Sequence, residues 1–568
     1  MTHNSSPWVP RLRWAAITLL FAAGAVAITW PLAAQLDAGI PLGTESVATV
    51  PLFNLWTLAW NVESLSHGYR SYWQAPIFHP AADTFALSEP QPLVGVVAAA
   101  IHRLGGSVLQ AYNLILITTL ALNGLLATLL LRRVGLAWLP ALGGGALVLV
   151  LPFTHQELGV LQLVPLAGVL LFALAVVRFA EAPSRRGGLA LGGSLALAYG
   201  LSSQVTVFAA LAAIPAILWL WWPHRREREA WIGVTAGAAL FLILSSPLIA
   251  AQVRATADAG FTRSAETVRK QSAQLDHYLK SPWQQIVPTP GVATAERPSR
   301  RAFWPGTLRV LLALAALALA WRSERWRRMA VTGGLLLAAS LLLSFGANLA
   351  IAGFSLADAL RTLPGLAQIR SYFRFALFSQ LAVAALAAGA LQLLLEQVKR
   401  RTTNLRASLV VASVALLAVV EMRPVMGEIE PLPPLDLELP WLDWIERETA
   451  NDDPLAFVPF PRERSARAYL GTSQWMYWQL RHWRPMVNGY SGFFPASFRE
   501  LKKTMETFPS TPSLLALRDA GVRYAIVHRR VIEQSPPPDP EGPVRLVQRF
   551  RDEQHALAIF ELQSNPLQ

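Results

Sequence analysis

The sequence predicts a polytopic α-helical membrane protein, with about eleven transmembrane helices followed by a small C-terminal α/β domain. Three observations predict this fold class. The 568-residue chain is only 15% charged, whereas about one quarter of an ordinary soluble domain is charged. Apolar segments near the roughly 20 residues needed to cross a bilayer recur along the chain. The tail after Met422 is far more polar and mixes strand and helix patterns.

The first apolar segment runs from Trp14 to about Ala34, behind Arg11 and Arg13. A basic start and an apolar stretch also fit a signal peptide, but its length and the many later spans favour a retained anchor. The further spans are predicted at about 108–131, 136–153, 160–179, 188–202, 204–222, 231–251, 306–321, 329–346, 372–395 and 407–422.

Basic residues concentrate in every second connection between the spans, as the positive-inside rule requires of cytoplasmic loops. The pattern predicts a protein of the inner (plasma) membrane with a cytoplasmic N-terminus and an extracytoplasmic C-terminal domain. The net charge of +13 is divided among these short clusters, so nucleic acid is not a predicted partner. The clusters are Arg132 and Arg133, then Arg178, Arg185 and Arg186, then Arg225, Arg226 and Arg228, then Arg322, Arg325, Arg327 and Arg328, and then Lys399, Arg400, Arg401 and Arg406.

Two domains follow from this pattern: a transmembrane domain over 1–422, with long outer loops at 35–107, 252–305 and 347–371, and an extracytoplasmic α/β domain over 423–568. A proline-rich linker, EIEPLPPLDLELP, joins them. Strands are predicted in the tail at Leu455 to Phe460, Val522 to Val527 and Ala556 to Leu562, and helices at Trp441 to Thr449, Phe498 to Phe508 and Pro512 to Ala520.

The first outer loop is rich in tryptophan, and two helices are predicted within it. Between Pro51 and Gly68, apolar residues including Trp56 and Trp60 recur at helical spacing. This pattern predicts a helix lying in the membrane interface, with its indole rings at headgroup depth. A second short helix, from Pro92 to Leu104, is predicted to lie likewise.

The same loop carries the candidate catalytic acids Glu45 and Glu89, each just before one of the two predicted helices. A carboxylate at this depth can deprotonate an acceptor hydroxyl or hold a divalent cation, so the cofactor is left open between none and such a cation. Each acid alone fits a solvated loop position, whereas the set in so aromatic a loop favours a function. His79, in IFHP, can bond a phosphate oxygen, although a loop histidine is more often a structural hydrogen-bonder.

Four polar residues near the apolar spans are candidate substrate-binding groups. His155 and Glu157 lie in a tight hairpin, where they either face a cavity or protrude into water. Arg370 and Arg374 oppose the orientation rule at the outer entry of a span, and their spacing of four predicts one shared helix face. Two guanidiniums there can clamp an anionic headgroup or pyrophosphate, or they can simply snorkel.

Other motifs are either ambiguous or missing. The stretch HWRPMVNGYSGFFPASF, from His482 to Phe498, can stack on a sugar ring, but a small domain also needs such aromatics for its core. The sequence contains no GxxxxGK[ST], HExxH, GxSxG or strand-to-helix GxGxxG motif, so soluble nucleotide and zinc-protease chemistry has no support. The absence of cysteine excludes disulfides and thiolate metal sites.

The order of these features resembles the GT-C superfamily of polytopic glycosyltransferases, which use sugars linked to polyprenyl phosphate, and in particular a bacterial branch with a C-terminal extracytoplasmic domain. The segments that carry the resemblance are TVPLFNLWTLAWN (49–61), APIFHPAADTFALSEPQP (75–92), AYNLILITTLALNGLLA (111–127), LPGLAQIRSYFRFAL (363–377) and WRPMVNGYSGFFP (483–495).

The resemblance implies a mechanism and a set of partners. A lipid-linked sugar enters from the outer leaflet with its phosphate held by Arg370 and Arg374, and Glu45 or Glu89 activates the acceptor or binds a metal ion. The sugar then passes to a glycan, lipid or protein outside the membrane. Related proteins usually carry an aspartate just before the PLFNLW-like stretch, where this sequence has Val50.

Two other functions compete with the glycosyltransferase reading of the sequence. A non-catalytic membrane scaffold for surface polysaccharide assembly gains from the missing aspartate. A transporter ranks below it, because transporters place polar groups or broken helices near mid-membrane and these spans carry almost no internal charge.

Overall fold

The computed structural model describes residues 8–258, 264–285, 288–295, 299–363 and 366–565, so parts of the predicted outer loop 252–305 lie outside the described residues. The chain folds as two compact units. The first, here called the membrane unit, comprises Met1–Leu36, Asn113–Ser246 and Thr262–Ile429. The second, here called the loop–tail unit, comprises Asp37–Tyr112, Pro247–Phe261 and Glu430–Gln568.

The membrane unit consists almost entirely of helices, and a helix occupies each of the eleven predicted spans. Two helices, Val108–Val134 and Arg228–Asp258, have their larger part in this unit. The others are Trp8–Ile28, Trp138–Leu149, Pro152–Gln156, Ala167–Glu181, Arg185–Leu201, Ser203–Trp221, Ala265–Lys270, Thr307–Leu319, Glu324–Phe345, Leu356–Arg361, Ala376–Lys399 and Asn404–Glu421. Short 3-10 turns lie at Leu32–Ala34, Leu161–Leu163, Trp222–His224, Leu275–Leu279, Ala320–Arg322, Gly346–Asn348 and Tyr372–Phe375, and two-residue strands at Lys280–Ser281, Ala293–Thr294, Ala350–Ile351 and Phe354–Ser355.

Eight helices in the described part of the chain are long and apolar enough to cross a membrane. The predicted spans 14–34, 188–202 and 306–321 form helices that fall below that length or hydropathy. Burial differs widely among the eight. In the span Tyr372–Lys399, 83% of the most apolar window is buried within the protein, against 17% in Arg228–Ala257. The former is therefore the central helix of the unit, and the latter leaves most of its surface for lipid.

Two pairs of glycines explain how the weakly apolar segment around 188–202 joins the bundle. A Cβ atom built on Gly188 would lie 1.9 Å from the Gly233 carbonyl oxygen, and one on Gly192 would lie 2.0 Å from that of Gly237. Both helices thus carry glycines four residues apart at one contact, where their backbones touch. Close backbone packing supplies the stabilisation that a short, glycine-rich span cannot obtain from hydrophobicity.

The loop–tail unit joins the first outer loop to the C-terminal tail. Its helices are Thr49–Ser66, Pro92–Arg103, Pro440–Glu448, Leu470–His482, Ala496–Thr504, Thr511–Asp519 and Arg529–Gln534, with 3-10 turns at Thr84–Leu87, Arg467–Tyr469 and Met505–Thr507. Its strands are Gly39–Pro41, Leu455–Val458, Tyr524–His528, Val544–Asp552 and Leu557–Ser564, and a further strand, Ile429–Pro431, has its last two residues in this unit.

Four of these strands form the sheet of the tail. Leu455–Val458 is an edge strand that pairs in parallel with Tyr524–His528, and Leu557–Ser564 pairs antiparallel with both Tyr524–His528 and Val544–Asp552. The mixed sheet with helices confirms the predicted α/β fold of the tail. The strand Val544–Asp552 and the helix Leu470–His482 were not predicted, because neither shows a clear hydrophobic period.

The first loop contributes backbone to the same unit by hydrogen bonding to an extended segment of the tail. The Phe78 amide donates to the Asn488 carbonyl at 3.0 Å, and the His79 amide donates to that of Met486 at 2.9 Å. In return, the Met486 amide donates to the Pro76 carbonyl at 3.1 Å. These bonds pair segments about 400 residues apart, as closely as the strands of a sheet.

Candidate functional site

The seven residues predicted for the site are divided between the two units. Glu45, His79 and Glu89 belong to the loop–tail unit, and His155, Glu157, Arg370 and Arg374 belong to the membrane unit. Their shared role in one site stays a prediction.

In the membrane unit, Glu157 forms a buried ion pair with an arginine that sequence reasoning missed. The Arg300 guanidinium donates from Nε at 3.0 Å and from Nη2 at 2.7 Å to the two carboxylate oxygens. The Glu157 side chain is 1% exposed and that of Arg300 is 30% exposed. Glu157 therefore does not protrude into water, and its carboxylate fixes the guanidinium in a two-pronged geometry.

His155 lies just after the point at which a predicted span is interrupted. The helix Trp138–Leu149 ends there and a short second helix, Pro152–Gln156, begins, so the carbonyls around the break lose their helical partners. His155 Nε2 donates to the Leu149 carbonyl at 2.9 Å, and the side chain is buried. The fully buried Arg309 approaches the next carbonyl, that of Val150, at 3.4 Å. His155 thus holds the break together at the base of the Glu157 hairpin.

Arg370 and Arg374 do not share a helix face, and this part of the sequence prediction is wrong. The helix begins with the 3-10 turn Tyr372–Phe375, so Arg370 lies in the irregular segment before it. The physical reason is that side chains four apart align only inside an α-helix. Arg370 is exposed, whereas the half-buried Arg374 donates from Nη1 to Gln204 Oε1 at 2.6 Å.

Arg301 adds a further cation to the membrane unit. Burial, and next to it the charge of Arg300, lowers the pKa of the Arg301 guanidinium. Burial is the main cause that lowers the pKa of His277; the charge of Asp276 raises it, and the charge of the Arg301 guanidinium lowers it. Because Arg300 and Arg301 stand next to each other with Glu157 as the buried carboxylate, this segment carries excess positive charge.

A sequence signal for Arg300 and Arg301 existed. They lie in RPSRRAF, within the predicted outer segment 252–305, where the positive-inside rule does not require cations. The same argument singled out Arg370 and Arg374 and applies equally to this motif.

In the loop–tail unit, both candidate acids are half-buried and each lies just before a helix. Glu45 lies in the turn that leads into Thr49–Ser66, and its amide donates to the Leu42 carbonyl at 3.0 Å. Glu89 lies just before Pro92–Arg103. Asn61 fixes the backbone beside Glu89 by donating from Nδ2 to the Pro90 carbonyl at 2.8 Å.

A buried amide accompanies Glu89. The Gln91 side chain is 1% exposed, and within the described residues neither its oxygen nor its nitrogen has a hydrogen-bond partner. Buried amides are normally paired, so water or a bound group is expected to satisfy this one. Gln91 was not predicted as a site residue, since its sequence context SEPQP marks only a turn.

His79 is held mainly by its backbone, through the bond to Met486 given above. Its side chain is half-buried, and burial lowers the pKa of the imidazole. A neutral imidazole can still donate or accept one hydrogen bond, which fits either role considered for this residue.

The first-loop helix is not an interfacial helix, and that prediction is wrong. Trp56 is 1% exposed, and its indole nitrogen donates to Gln479 Oε1 at 2.9 Å. The helix packs against Leu470–His482 of the tail, so protein covers the face expected in the headgroups. Hydrophobic periodicity reports that a face is buried but not whether lipid or protein buries it. The second helix, Pro92–Arg103, does leave an apolar face open, with Val96 and Val97 exposed.

Among the described residues, no group of three or more histidine, aspartate or glutamate side chains could hold a metal ion. The divalent cation considered for Glu45 and Glu89 therefore stays an open prediction.

The aromatic segment from His482 to Phe498 forms core. Met486 and Val487 are completely buried, and Phe498 packs against Phe78 with ring centroids 4.9 Å apart. His482 is 5% exposed, and its Nδ1 accepts the Arg484 amide at 3.0 Å.

The burial of His482 is expected to make the stability of the protein depend on pH. Burial, followed by the charges of Arg484 and Arg481, lowers the pKa of His482 to about 3. Because the unfolded chain binds this proton near pH 6.5, the folded protein should lose stability as the pH falls from about 6.5 towards 3. The slope is about 1.4 kcal/mol per pH unit for one group. Unfolding midpoints at pH 7 and pH 5 should differ less in His482→Asn than in the wild type, and an equal difference would contradict the assignment.

Comparison with known proteins identifies the fold. No protein-family model matches the sequence. No curated protein matches it either. Solved structures do match. The arabinofuranosyltransferase AftD from Mycobacteria matches over 98% of this chain with 15% identity and a TM-score of 0.53. This chain spans about two fifths of AftD, since the match covers 40% of that protein.

Two further matches have lower TM-scores. The oligosaccharyltransferase of Archaeoglobus fulgidus matches over 91% of this chain and 70% of its own, with 12% identity and a TM-score of 0.49. ArnT from Cupriavidus metallidurans, bound to undecaprenyl phosphate, matches over 98% of both chains, with 12% identity and a TM-score of 0.46.

The chain is therefore a polytopic membrane protein with the fold of the GT-C glycosyltransferases, as the AftD match shows. The resemblance drawn from the sequence is confirmed at the level of the fold.

Proposed function

We propose that this protein is a membrane glycosyltransferase, which moves a sugar from a polyprenyl-phosphate donor to an acceptor outside the cytoplasm. The observation that carries the proposal is the GT-C fold along nearly the whole chain, shared with a protein named as an arabinofuranosyltransferase. The acceptor class is a cell-envelope glycan, lipid or protein.

The excess positive charge of the membrane unit supports the anionic donor. Arg300 is pre-oriented by Glu157, Arg374 by Gln204, and Arg301 and Arg370 add two further cations. Guanidiniums held in a fixed orientation bind phosphate oxygens with two parallel bonds and lose little entropy in doing so. In the proposed mechanism these arginines hold the donor phosphate, and polyprenyl phosphate is the leaving group.

The acids of the loop–tail unit supply the remaining step of the proposed mechanism. The acceptor hydroxyl gives its proton to Glu45 or Glu89, and its oxygen forms the new bond to the sugar carbon as the bond to phosphate breaks. A carboxylate also holds a divalent cation, if the enzyme uses one, by direct coordination of its oxygens. The proposal places both acids on the extracytoplasmic side.

The experiment is a transfer assay with the purified full chain, polyprenyl-phosphate sugars and envelope acceptors. Arg374→Gln should raise the KM for the donor at least about tenfold, because one charge-assisted contact to phosphate is lost. Arg406→Gln, in a predicted cytoplasmic connection, is the matched control and should leave the KM unchanged. Equal effects of the two substitutions would exclude Arg374 as a donor contact, and absence of transfer with every donor would contradict the proposed function.

A second function, the non-catalytic scaffold, is favoured by one observation. Val50 lies in the first turn of the helix Thr49–Ser66. The resemblance to the GT-C superfamily implies an aspartate at this place. A scaffold would bind polysaccharide or its assembly proteins without turning over any donor. The transfer assay distinguishes the two, since only an enzyme releases polyprenyl phosphate.

A further inference from the structure

The tail contains a small cavity that the candidate site does not use. It has a volume of about 230 Å³ and lies at the end of the edge strand Leu455–Val458. The side chains that matter here come from three segments of the loop–tail unit. They are Arg462, Lys502, Glu506, Gln534 and Ser535.

The position of this cavity in the sheet is the usual one for a ligand site. Leu455–Val458 and Tyr524–His528 run in parallel, and the cavity lies where the chain leaves them. Arg462 follows the first strand, and Gln534 follows the second through the helix Arg529–Gln534. In open α/β sheets, ligands bind outside the carboxyl ends of parallel strands, where the loops supply the side chains.

The charge of the cavity is positive. Lys502 Nζ donates to the Glu463 carbonyl at 3.0 Å and lies 5.1 Å from the centre of the Tyr469 ring, contacts that orient the ammonium without neutralising it. Burial lowers the pKa of Lys502 and the charge of Arg464 lowers it further, whereas the charge of Glu506 raises it, so a second cation and one carboxylate stand close to the ammonium. Arg462 is exposed at the rim. Glu506 is the one acidic side chain among the described lining residues.

The size and the mixture of groups restrict the ligand. Pockets for drug-sized molecules measure about 300–1,000 Å³, so this cavity takes a single small group. Phosphate oxygens chiefly accept hydrogen bonds, so a site for bare phosphate is expected to present mostly donors. Here the Glu506 carboxylate and the Gln534 amide stand beside the cations, and the Ser535 hydroxyl, which donates to the Phe508 carbonyl, keeps its lone pairs free to accept. Such a set matches a ligand with both hydroxyl groups and a negative charge.

We propose that this cavity binds one acidic sugar residue, a sugar ring that carries a carboxylate or phosphate group. Arg462 and Lys502 hold the anionic group, and Glu506, Gln534 and Ser535 hold ring hydroxyls. Binding as such does not depend on transfer activity. The further role, in which the tail holds an acidic glycan acceptor, rests on the proposed function.

The test is a binding titration with the full chain in phosphatidylcholine nanodiscs, with glucuronic acid, glucose 6-phosphate, glucose and inorganic phosphate as probes. The two acidic sugars should bind at least about tenfold more tightly than glucose or phosphate. Arg462→Gln and Lys502→Gln should each raise the Kd of the acidic sugars about tenfold. Lys503→Gln, a neighbouring exposed lysine outside the cavity, is the matched control and should leave the Kd unchanged.

Each contrary outcome overturns the proposal in a definite way. Glucose binding as tightly as glucuronic acid removes the role of the charge, and phosphate binding as tightly as glucose 6-phosphate makes this a plain anion site. In nanodiscs that also contain phosphatidylglycerol, competition by this lipid with the acidic sugars would assign the cavity to a lipid headgroup. An unchanged Kd in Arg462→Gln, whose exposed side chain makes a folding defect the less expected result, would reject the site. None of these readouts requires transfer, so the proposed function stands or falls separately.

Discussion

Replacing the catalytic acid, which the proposal assigns to Glu45 or Glu89, by glutamine should lower the rate of sugar transfer by about 100- to 10,000-fold, which is the usual contribution of general acid–base catalysis. Glutamine keeps the shape of the side chain but accepts no proton and coordinates a cation weakly. Because Glu45 and Glu89 are both half-buried beside the start of a helix, the loss reflects chemistry more than unfolding. The measurement is kcat for transfer by each purified variant, with thermal unfolding recorded alongside.

Glu63→Gln is the matched control. Glu63 lies near the end of the first-loop helix, in a partly exposed pair with His67 at 3.5 Å, and its change should leave kcat near the wild-type value. One single variant that loses activity identifies the acid. Full activity in both single variants and in the double variant would exclude both residues as the catalytic acid. The scaffold function would then better explain why a valine, Val50, stands where an aspartate is expected.

Removal of Arg300 should destabilise the protein by about 3–5 kcal/mol, the usual cost of leaving a buried charge without its partner. In Arg300→Met, the Glu157 carboxylate, which is 1% exposed in the wild type, loses both charge-assisted hydrogen bonds. Glu157→Gln should cost less, because the Arg300 side chain is already 30% exposed and can turn towards water. Thermal unfolding of the purified variants in one detergent measures the difference.

Two further variants make this prediction specific. The double variant Arg300→Met with Glu157→Gln should be more stable than Arg300→Met alone, since no unpaired charge is left behind. Arg133→Met breaks an exposed ion pair with Glu181 and should cost less than about 1 kcal/mol. Equal losses in Arg300→Met and Arg133→Met would show that the Glu157 pair is not buried in the working protein.

The sequence predicts the spans well because the bilayer leaves the chain little choice. A backbone without water must satisfy its hydrogen bonds internally, so long apolar segments become helices. The break at Val150 and Leu151 was not visible in the hydrophobic pattern, because what stabilises it is a distant arginine, Arg309, and a histidine that bonds back to the preceding turn.

The candidate site was predictable only in part. Arg370 and Arg374 were predicted from their charge alone. The prediction that they share a helix face was wrong because the sequence does not show where the helix begins. The Glu157–Arg300 pair joins residues 143 positions apart, and no local pattern encodes such a partner. The prediction of an interfacial first-loop helix failed for the same reason. The Trp56 indole donates its hydrogen bond to Gln479, which lies 423 positions away.

That last separation has a consequence for how the protein is made. At roughly 5–20 residues per second, the ribosome reaches Gln479 some 20–85 s after Trp56 has been synthesised. On the predicted topology, the loop is exported during this interval without the partner that completes its core, so secretory chaperones are expected to hold it. A premature stop codon before the tail would then leave Glu45 and Glu89 on an unfolded loop and expose it to envelope proteases.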